Sequence, residues 1–332
     1  MEPFLTRSYR QDRIAVRGGD LTVGVWEPVA GLDDDAVAAV TPHPPITPTT
    51  GYTAVEPPAA AEVPTGPRTI LLLHGLTGHH QAFLAVADRL DAYRVLAPDL
   101  RGRGQSYPLL GPYGMAAHAD DLAQVLEAEE ARDVVVVGYS MGGLAALVLA
   151  HRYPGLVQSL VLLDMWLPRL AFPSEDRDAT VSHIFAPLFA TIERRYASLD
   201  EYHRFWERSG RFDAPLSEQA RAALDYALHG REPELGIRVQ QRAAWDDAIE
   251  VMGAEDVLAA LNGLSHPARL LWHRAGHAEG AAAWDIADSA ESWASLLPTL
   301  TAVEYPADRR IPLFTDDGVA RIRAAVDELA RS

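Results

Sequence analysis

Val134-Val135-Val136-Val137-Gly138-Tyr139-Ser140-Met141-Gly142-Gly143 decides the fold. Four valines in a row suit a strand buried on both faces. The run from Met141 to His151 is apolar with helical character, and Pro154 stops it. Between them stands Gly138-x-Ser140-x-Gly142, a G-x-S-x-G motif in its strand–turn–helix setting. The turn is so tight that a bulky side chain two residues either side of the serine would clash, hence two glycines. Strain in the turn lifts the Ser140 hydroxyl over the sheet edge, and the helix N-terminus behind it favours developing negative charge. The backbone N–H of Met141 then points to where an oxyanion would form.

Working outward, strands and helices alternate. Thr69–Leu73 is a short apolar run ending in His74-Gly75, and helical spacing follows over Gln81–Leu90. Tyr93–Ala97 reads as a strand, Met115–Glu129 as a helix and Leu160–Leu163 as a buried strand ending at Asp164. Further on, Arg269–Trp272 and Thr301–Tyr305 read as strands, and Ala282–Leu297 and Asp317–Ala330 as helices. This pattern argues for an α/β fold with a mostly parallel central sheet and helices on both faces. A hairpin, Arg13–Val16 with Leu21–Trp26 around Gly18-Gly19-Asp20, precedes it.

Two stretches break the alternation. Residues 29–67 carry eight prolines from Pro42 to Pro67 and read as an extended surface insertion. From Pro168 to about Gly263 strand signals vanish and aromatics abound, so the spacing predicts a helical cap over one end of the sheet. The expected division is a core of residues 1–167 and 264–332, with a cap of 168–263. Most of the cap's aromatics would form its own core, with Trp166 the best candidate to line a substrate cavity.

Composition narrows the function. Asp and Glu number 46 against 29 Lys and Arg, a net charge of −17. A surface that acidic repels phosphate backbones and anionic lipid, which argues against nucleic-acid and membrane-surface partners. There is no cysteine, so thiolate catalysis, disulfides and cysteine-based metal sites are excluded. Neither an apolar leader nor an apolar run of membrane-spanning length is visible, so a cytoplasmic protein is the expectation. No cofactor and no metal are expected. The remaining partner is a small-molecule substrate, and oligomeric state is left open.

The elbow, together with two loops, resembles the α/β-hydrolase superfamily from about Arg13 to Leu329. His74-Gly75-Leu76-Thr77-Gly78 is similar to the loop in which that superfamily places its second oxyanion donor, here the N–H of Leu76. Pro98-Asp99-Leu100-Arg101-Gly102-Arg103-Gly104-Gln105-Ser106 resembles its loop after the next strand. The resemblance implies an α/β-hydrolase fold, a cap after the Asp164 strand, and Leu76 with Met141 as the oxyanion hole. His74, Asp99 and Arg101 are expected to brace loops rather than to catalyse.

The resemblance also implies a triad in the order Ser, acid, His. The stretch that usually supplies the acid reads Leu270-Leu271-Trp272-His273-Arg274-Ala275-Gly276-His277, with Gly276 where Asp is expected. Asp164 stands at the alternative acid position, and equally suits a loop brace. The histidine should follow the last strand, where Arg309 or Arg310 stands, and no histidine occurs after His277. Guanidinium stays protonated and cannot act as a general base. His273 and His277 are the candidate relocated bases. Their i,i+4 spacing also suits a metal, but no third ligand is evident. A fixed cation at Arg309 or Arg310 suits substrate anchoring, unless it turns to solvent or pairs with a nearby aspartate. His79 and Tyr139 are further candidates to contact substrate.

Three readings stay open. The first is an enzyme on a small, largely apolar carbonyl, ester or lactone compound, of the kind met in secondary metabolism. With its triad degenerate, it would carry out a cyclisation, elimination, epimerisation or C–C cleavage. The second is an ester hydrolase using His273 or His277 with Asp164. The third is a non-catalytic binding protein. The maintained elbow favours an enzyme, since a mere binder gains nothing from that strain.

Overall fold

The computed structural model describes residues 7–29, 67–165, 177–273, 286–306 and 310–331. Most of the proline-rich insertion, and with it Trp166, His277 and Arg309, lies outside the described residues.

Among the described residues the chain runs β1 (Tyr9–Val16), β2 (Gly19–Trp26), β3 (Thr69–Leu73), α1 (Leu84–Arg89), β4 (Arg94–Pro98), α2 (Met115–Ala128), β5 (Val134–Tyr139), α3 (Met141–Arg152) and β6 (Val157–Leu163). A helical segment follows: α4 (Arg177–Ile184), α5 (Ala186–Glu193), α6 (Leu199–Arg208), α7 (Glu218–Tyr226), a small pair β7 (Leu228–His229) and β8 (Gly236–Ile237), then α8 (Gln241–Val251) and α9 (Glu255–Asn262). The alternation resumes with β9 (Ala268–Trp272), α10 (Ile286–Leu296), β10 (Leu300–Glu304) and α11 (Asp316–Ala330).

The sheet order is β1-β2-β4-β3-β5-β6-β9-β10. β1 pairs antiparallel with β2, and β2 with β4; every other pairing is parallel. This is the α/β-hydrolase fold the sequence implied. Strand alternation sorts the buried residues onto two faces. Leu71, Leu73, Val134, Val136, Leu160 and Leu162 join one core with Leu122 of α2 and Leu147 of α3. Ile70, Leu72, Val135, Val137, Val161 and Leu163 join the other with Val86 of α1 and Ile322 of α11. Both faces are covered, so the strands read as unbroken apolar runs. Each buried Leu or Val stabilises by roughly 1.5–3 kcal/mol.

Two local readings differ from expectation. Gln81–Leu90 is not one helix. A 3-10 turn, His80–Phe83, leads into the short α1. The His80 N–H is taken by the Asp99 carboxylate at 2.7 Å, which fixes that first turn from outside. The cap segment is not purely helical, since β7 and β8 pair antiparallel across two residues each.

Candidate active site

Ser140 sits at φ 53° and ψ −123°, between the end of β5 and the start of α3. Its N–H donates to the Leu163 carbonyl at 2.8 Å, which pins the turn to β6. A Cβ on Gly138 would lie 2.5 Å from the Gly142 carbonyl oxygen, and one on Gly142 would lie 2.2 Å from the Leu73 carbonyl oxygen. Those are backbone atoms that cannot swing away, so both glycines are steric necessities. Met141 opens α3, where the first N–H groups have no acceptor within the helix.

The loop after β3 lies against this turn. A Cβ on Gly75, the residue before Leu76, would approach the Ser140 Cβ at 3.2 Å and the Tyr139 ring at 3.5 Å. His74 braces the loop. Its Nε2 accepts from the Leu100 N–H at 2.9 Å, so its Nδ1 carries the proton and donates to the Gly75 carbonyl at 2.8 Å. Burial pushes this imidazole down to about 3, only partly offset by the Gly75 carbonyl, so it is neutral at ordinary pH.

Arg103 lies beneath both loops, fully buried. Its Nε donates to the Leu76 carbonyl at 3.0 Å and its Nη1 to the Arg101 carbonyl at 3.0 Å, while Nη2 lies 3.9 Å from the Met141 sulfur. Asp247 of α8 neutralises it, Nη1 to Oδ2 at 2.5 Å. The same carboxylate accepts from His118 Nε2 at 2.9 Å and from the Gly114 N–H at 2.7 Å. Asp99 is a second hub. Its oxygens accept from the His80 imidazole, the Gln105 N–H and the Tyr226 hydroxyl of α7. Burial alone would raise the Asp99 carboxyl, yet the His80 and Tyr226 contacts draw it well below the ordinary carboxylate range. Asp99 and Arg101 thus brace loops. The segment from α4 to α9 meets the loop after β4 and the start of α2 through Tyr226 and Asp247.

Asp164 follows β6 at φ 44° and stands against the ends of β9 and β10. The Tyr305 hydroxyl donates to its Oδ1 at 2.5 Å, and His273 Nε2 lies 3.7 Å from its Oδ2. The latter is ion-pair range, longer than a hydrogen bond. Burial, then the Asp164 charge, raises Tyr305 far above the usual phenol range, so it stays a donor. Among the described residues no imidazole hydrogen-bonds the Ser140 hydroxyl.

The remaining sequence candidates separate. Arg310 is turned outward, paired with Asp213 of the cap at 2.5 Å, with 40% of its side chain exposed. His79 is buried beside Tyr226 at 5.1 Å between ring centres, and its Nδ1 has no hydrogen-bond partner. Burial pushes His79 down to about 4, against the pull of Asp99. Tyr139 is partly buried; burial pushes its hydroxyl up to about 12, partly offset by Arg211 of the cap. Sequence reasoning missed Tyr305 and Asp247. No local motif marks them, since each reaches the site from an element distant in the chain. Arg103 lay inside the quoted loop but carried no sign of its buried partner.

No group of three or more potential metal-ligating side chains is found among the described residues, and none of their helices is long and apolar enough to cross a membrane.

Known proteins resemble the chain to different extents. The lipase LipV of Mycobacterium tuberculosis is 41% identical over 101 residues, 30% of this chain and 38% of that protein. A putative 2-succinyl-6-hydroxy-2,4-cyclohexadiene-1-carboxylate synthase of Bacillus subtilis is 34% identical over 178 residues, 53% of this chain and 62% of that protein. The chain thus matches less than two thirds of the length of either relative. The solved structure of E-2-(acetamidomethylene)succinate hydrolase superposes with a TM-score of 0.68 over 98% of this chain and 100% of that one, at 17% identity, a likeness of fold. Residues 68–236 match the family described as the alpha/beta hydrolase fold, and the chain belongs to that family.

Proposed function

We propose that the protein is an enzyme acting on the carbonyl, ester or lactone group of a small, largely apolar molecule, with Ser140 at the reacting centre. The observation that carries the reading is the Ser140 turn itself, held at positive φ between two glycines where any added Cβ would press on backbone atoms. Such strain persists where surrounding structure enforces it, and it gathers at functional sites. In this reading the N–H groups of Leu76 and Met141 donate to the substrate carbonyl oxygen and stabilise charge that develops there. The carbonyl carbon then becomes electron-poor beside the Ser140 hydroxyl.

A full hydrolytic cycle needs a base for the serine proton. The C-terminal loop supplies Arg309 and Arg310 instead of histidine. A reaction that needs only carbonyl polarisation therefore fits best: a cyclisation, elimination, epimerisation or C–C cleavage. Relatives bearing the names lipase and synthase are compatible with both hydrolytic and non-hydrolytic use of the site. The approach of His273 to Asp164 supports a second reading, ester hydrolysis through His273 or His277 with Asp164.

The test is reaction of the full chain with a fluorophosphonate and with p-nitrophenyl esters. Rapid labelling lost in Ser140→Ala and in His273→Ala or His277→Ala establishes hydrolysis with a relocated base. Slow or absent labelling, with carbonyl compounds converted by wild type and not by Ser140→Ala, establishes the non-hydrolytic reading. Tight binding of such compounds without conversion overturns both and leaves a binding protein.

A further inference from the structure

Tyr9 of β1, the strand at one edge of the sheet, ends a hydrogen-bonded series that the Ser140 site does not use. The Tyr9 hydroxyl lies 2.8 Å from His80 Nε2, and His80 Nδ1 lies 2.8 Å from Asp99 Oδ1. The Asp99 carboxylate can only accept, so Nδ1 carries the proton of the neutral imidazole. Nε2 is then the bare nitrogen, and the Tyr9 hydroxyl donates to it. The His80 and Asp99 side chains have no exposed surface, whereas Tyr9 is 40% exposed.

Each member of the series is held in place. The His80 N–H donates to the same Asp99 Oδ1 at 2.7 Å, which ties the backbone of the imidazole to its acceptor. Oδ2 accepts from the Gln105 N–H at 2.7 Å and from the Tyr226 hydroxyl at 2.6 Å, so the carboxylate cannot rotate away. Gly24 of β2 makes room for the ring, because a Cβ there would fall 2.5 Å from His80 Cδ2. The Tyr9 ring packs on Trp26, its partner across β1 and β2, with centres 4.8 Å apart. Burial raises the Tyr9 phenol above its ordinary value, so the hydroxyl keeps its proton until a base takes it. A weak hydroxyl nucleophile is activated by an adjacent imidazole whose tautomer a carboxylate holds. Tyr9, His80 and Asp99 fill those three roles.

We propose that Tyr9 is a second nucleophile of this protein, accepting the acyl group of aryl esters, with His80 as its base and Asp99 as the residue that positions His80. Tyr9 Oη bonds to the ester carbonyl carbon as its proton passes to His80 Nε2. The bond from that carbon to the aryl oxygen then breaks. The aryl oxide leaves with the proton from His80, and an O-acyl tyrosine remains. Asp99 stabilises the imidazolium formed in between. The site shares no residue with Ser140, Leu76 and Met141, so it acts whether or not Ser140 does.

The experiment treats the full chain as Ser140→Ala with p-nitrophenyl acetate and locates acetyl adducts by peptide mass spectrometry over time. The chain has no lysine and no cysteine, so neither competes for the acyl group. Tyr9 should be acetylated at least ~10-fold faster than any other tyrosine of the chain, the scale of assistance a positioned base gives. Adding His80→Gln should remove that advantage, and adding Tyr9→Phe should abolish the adduct. Melting temperatures check folding; should His80→Gln fail to fold, the rate at Tyr9 against the other tyrosines of the Ser140→Ala parent decides. A Tyr9 no faster than those tyrosines overturns the proposal. So does fast acetylation of Tyr9 that survives His80→Gln, which would belong to an exposed phenol without a base. Fluorophosphonate labelling of wild type reads Ser140 separately, so failure at Tyr9 and failure of the Ser140 reading are distinguishable.

Discussion

Arg103 and Asp247 meet inside the protein at 2.5 Å, with neither side chain exposed to solvent. One lies on the loop after β4 and the other on α8 of the cap, so the pair joins the two parts of the molecule beneath Leu76 and Met141. Any seating of the cap that moved Asp247 would leave a bare guanidinium under the proposed oxyanion site.

Asp247→Leu should therefore destabilise the protein by about 3–5 kcal/mol, because it leaves the Arg103 charge buried and uncompensated. The double variant Arg103→Met with Asp247→Leu should recover part of that loss, since both charges are then gone. Urea unfolding of wild type, each single variant and the double variant gives the cycle. Strictly additive losses would show that the two side chains do not depend on each other.

The elbow was legible in the sequence because its constraints are local. Gly138 and Gly142 act on backbone atoms within a few residues or on the adjacent β3, and four valines announce the strand. The candidate acid was half legible: Asp164 could be placed after β6, but nothing nearby revealed that Tyr305, just after β10, would hold it. Arg310 shows where local reading ends. Its place after β10 follows from chain order, but its direction is set by Asp213, 97 residues away.

Gly142→Ala tests the steric account of the elbow. The new Cβ would fall 2.2 Å from the Leu73 carbonyl oxygen and 2.7 Å from that of His74, and backbone must move to admit it. Overpacking of this kind costs about 1–3 kcal/mol or more. The shift acts on the turn that aims Met141, so Ser140 labelling by fluorophosphonate, where present in wild type, should fall by at least tenfold. Wild-type stability and labelling in Gly142→Ala would refute the close approach.

Tyr305→Phe removes the hydroxyl that holds Asp164 Oδ1 and leaves the carboxylate short of a donor. A cost of about 1–3 kcal/mol is expected. By contrast, Arg310→Ala removes an exposed pair with Asp213 and should change stability by less than about 1 kcal/mol. The two variants, compared by urea midpoint, check that the buried contact and not the surface one secures this loop. Equal losses would contradict that ordering.

Stability should fall with acid well before carboxylates titrate. His74 and His79 are held neutral by burial, with folded values of about 3 and about 4 against an ordinary value of ~6.5 when unfolded. Between these limits the unfolded chain binds protons that the folded protein refuses, so stability is full above pH ~6.5 and declines as pH falls. Each imidazole contributes up to about 1.4 kcal/mol per pH unit to that decline. Asp99 and Asp247 act in the next window: both are held below the ordinary range, so their stabilisation is present above pH ~4 and is lost as pH falls further. Urea midpoints between pH 7 and pH 4.5 should therefore drop steadily, and His79→Gln should flatten the slope. A level profile down to pH 4.5 would mean that these two histidines are protonated in the folded protein, contrary to their burial.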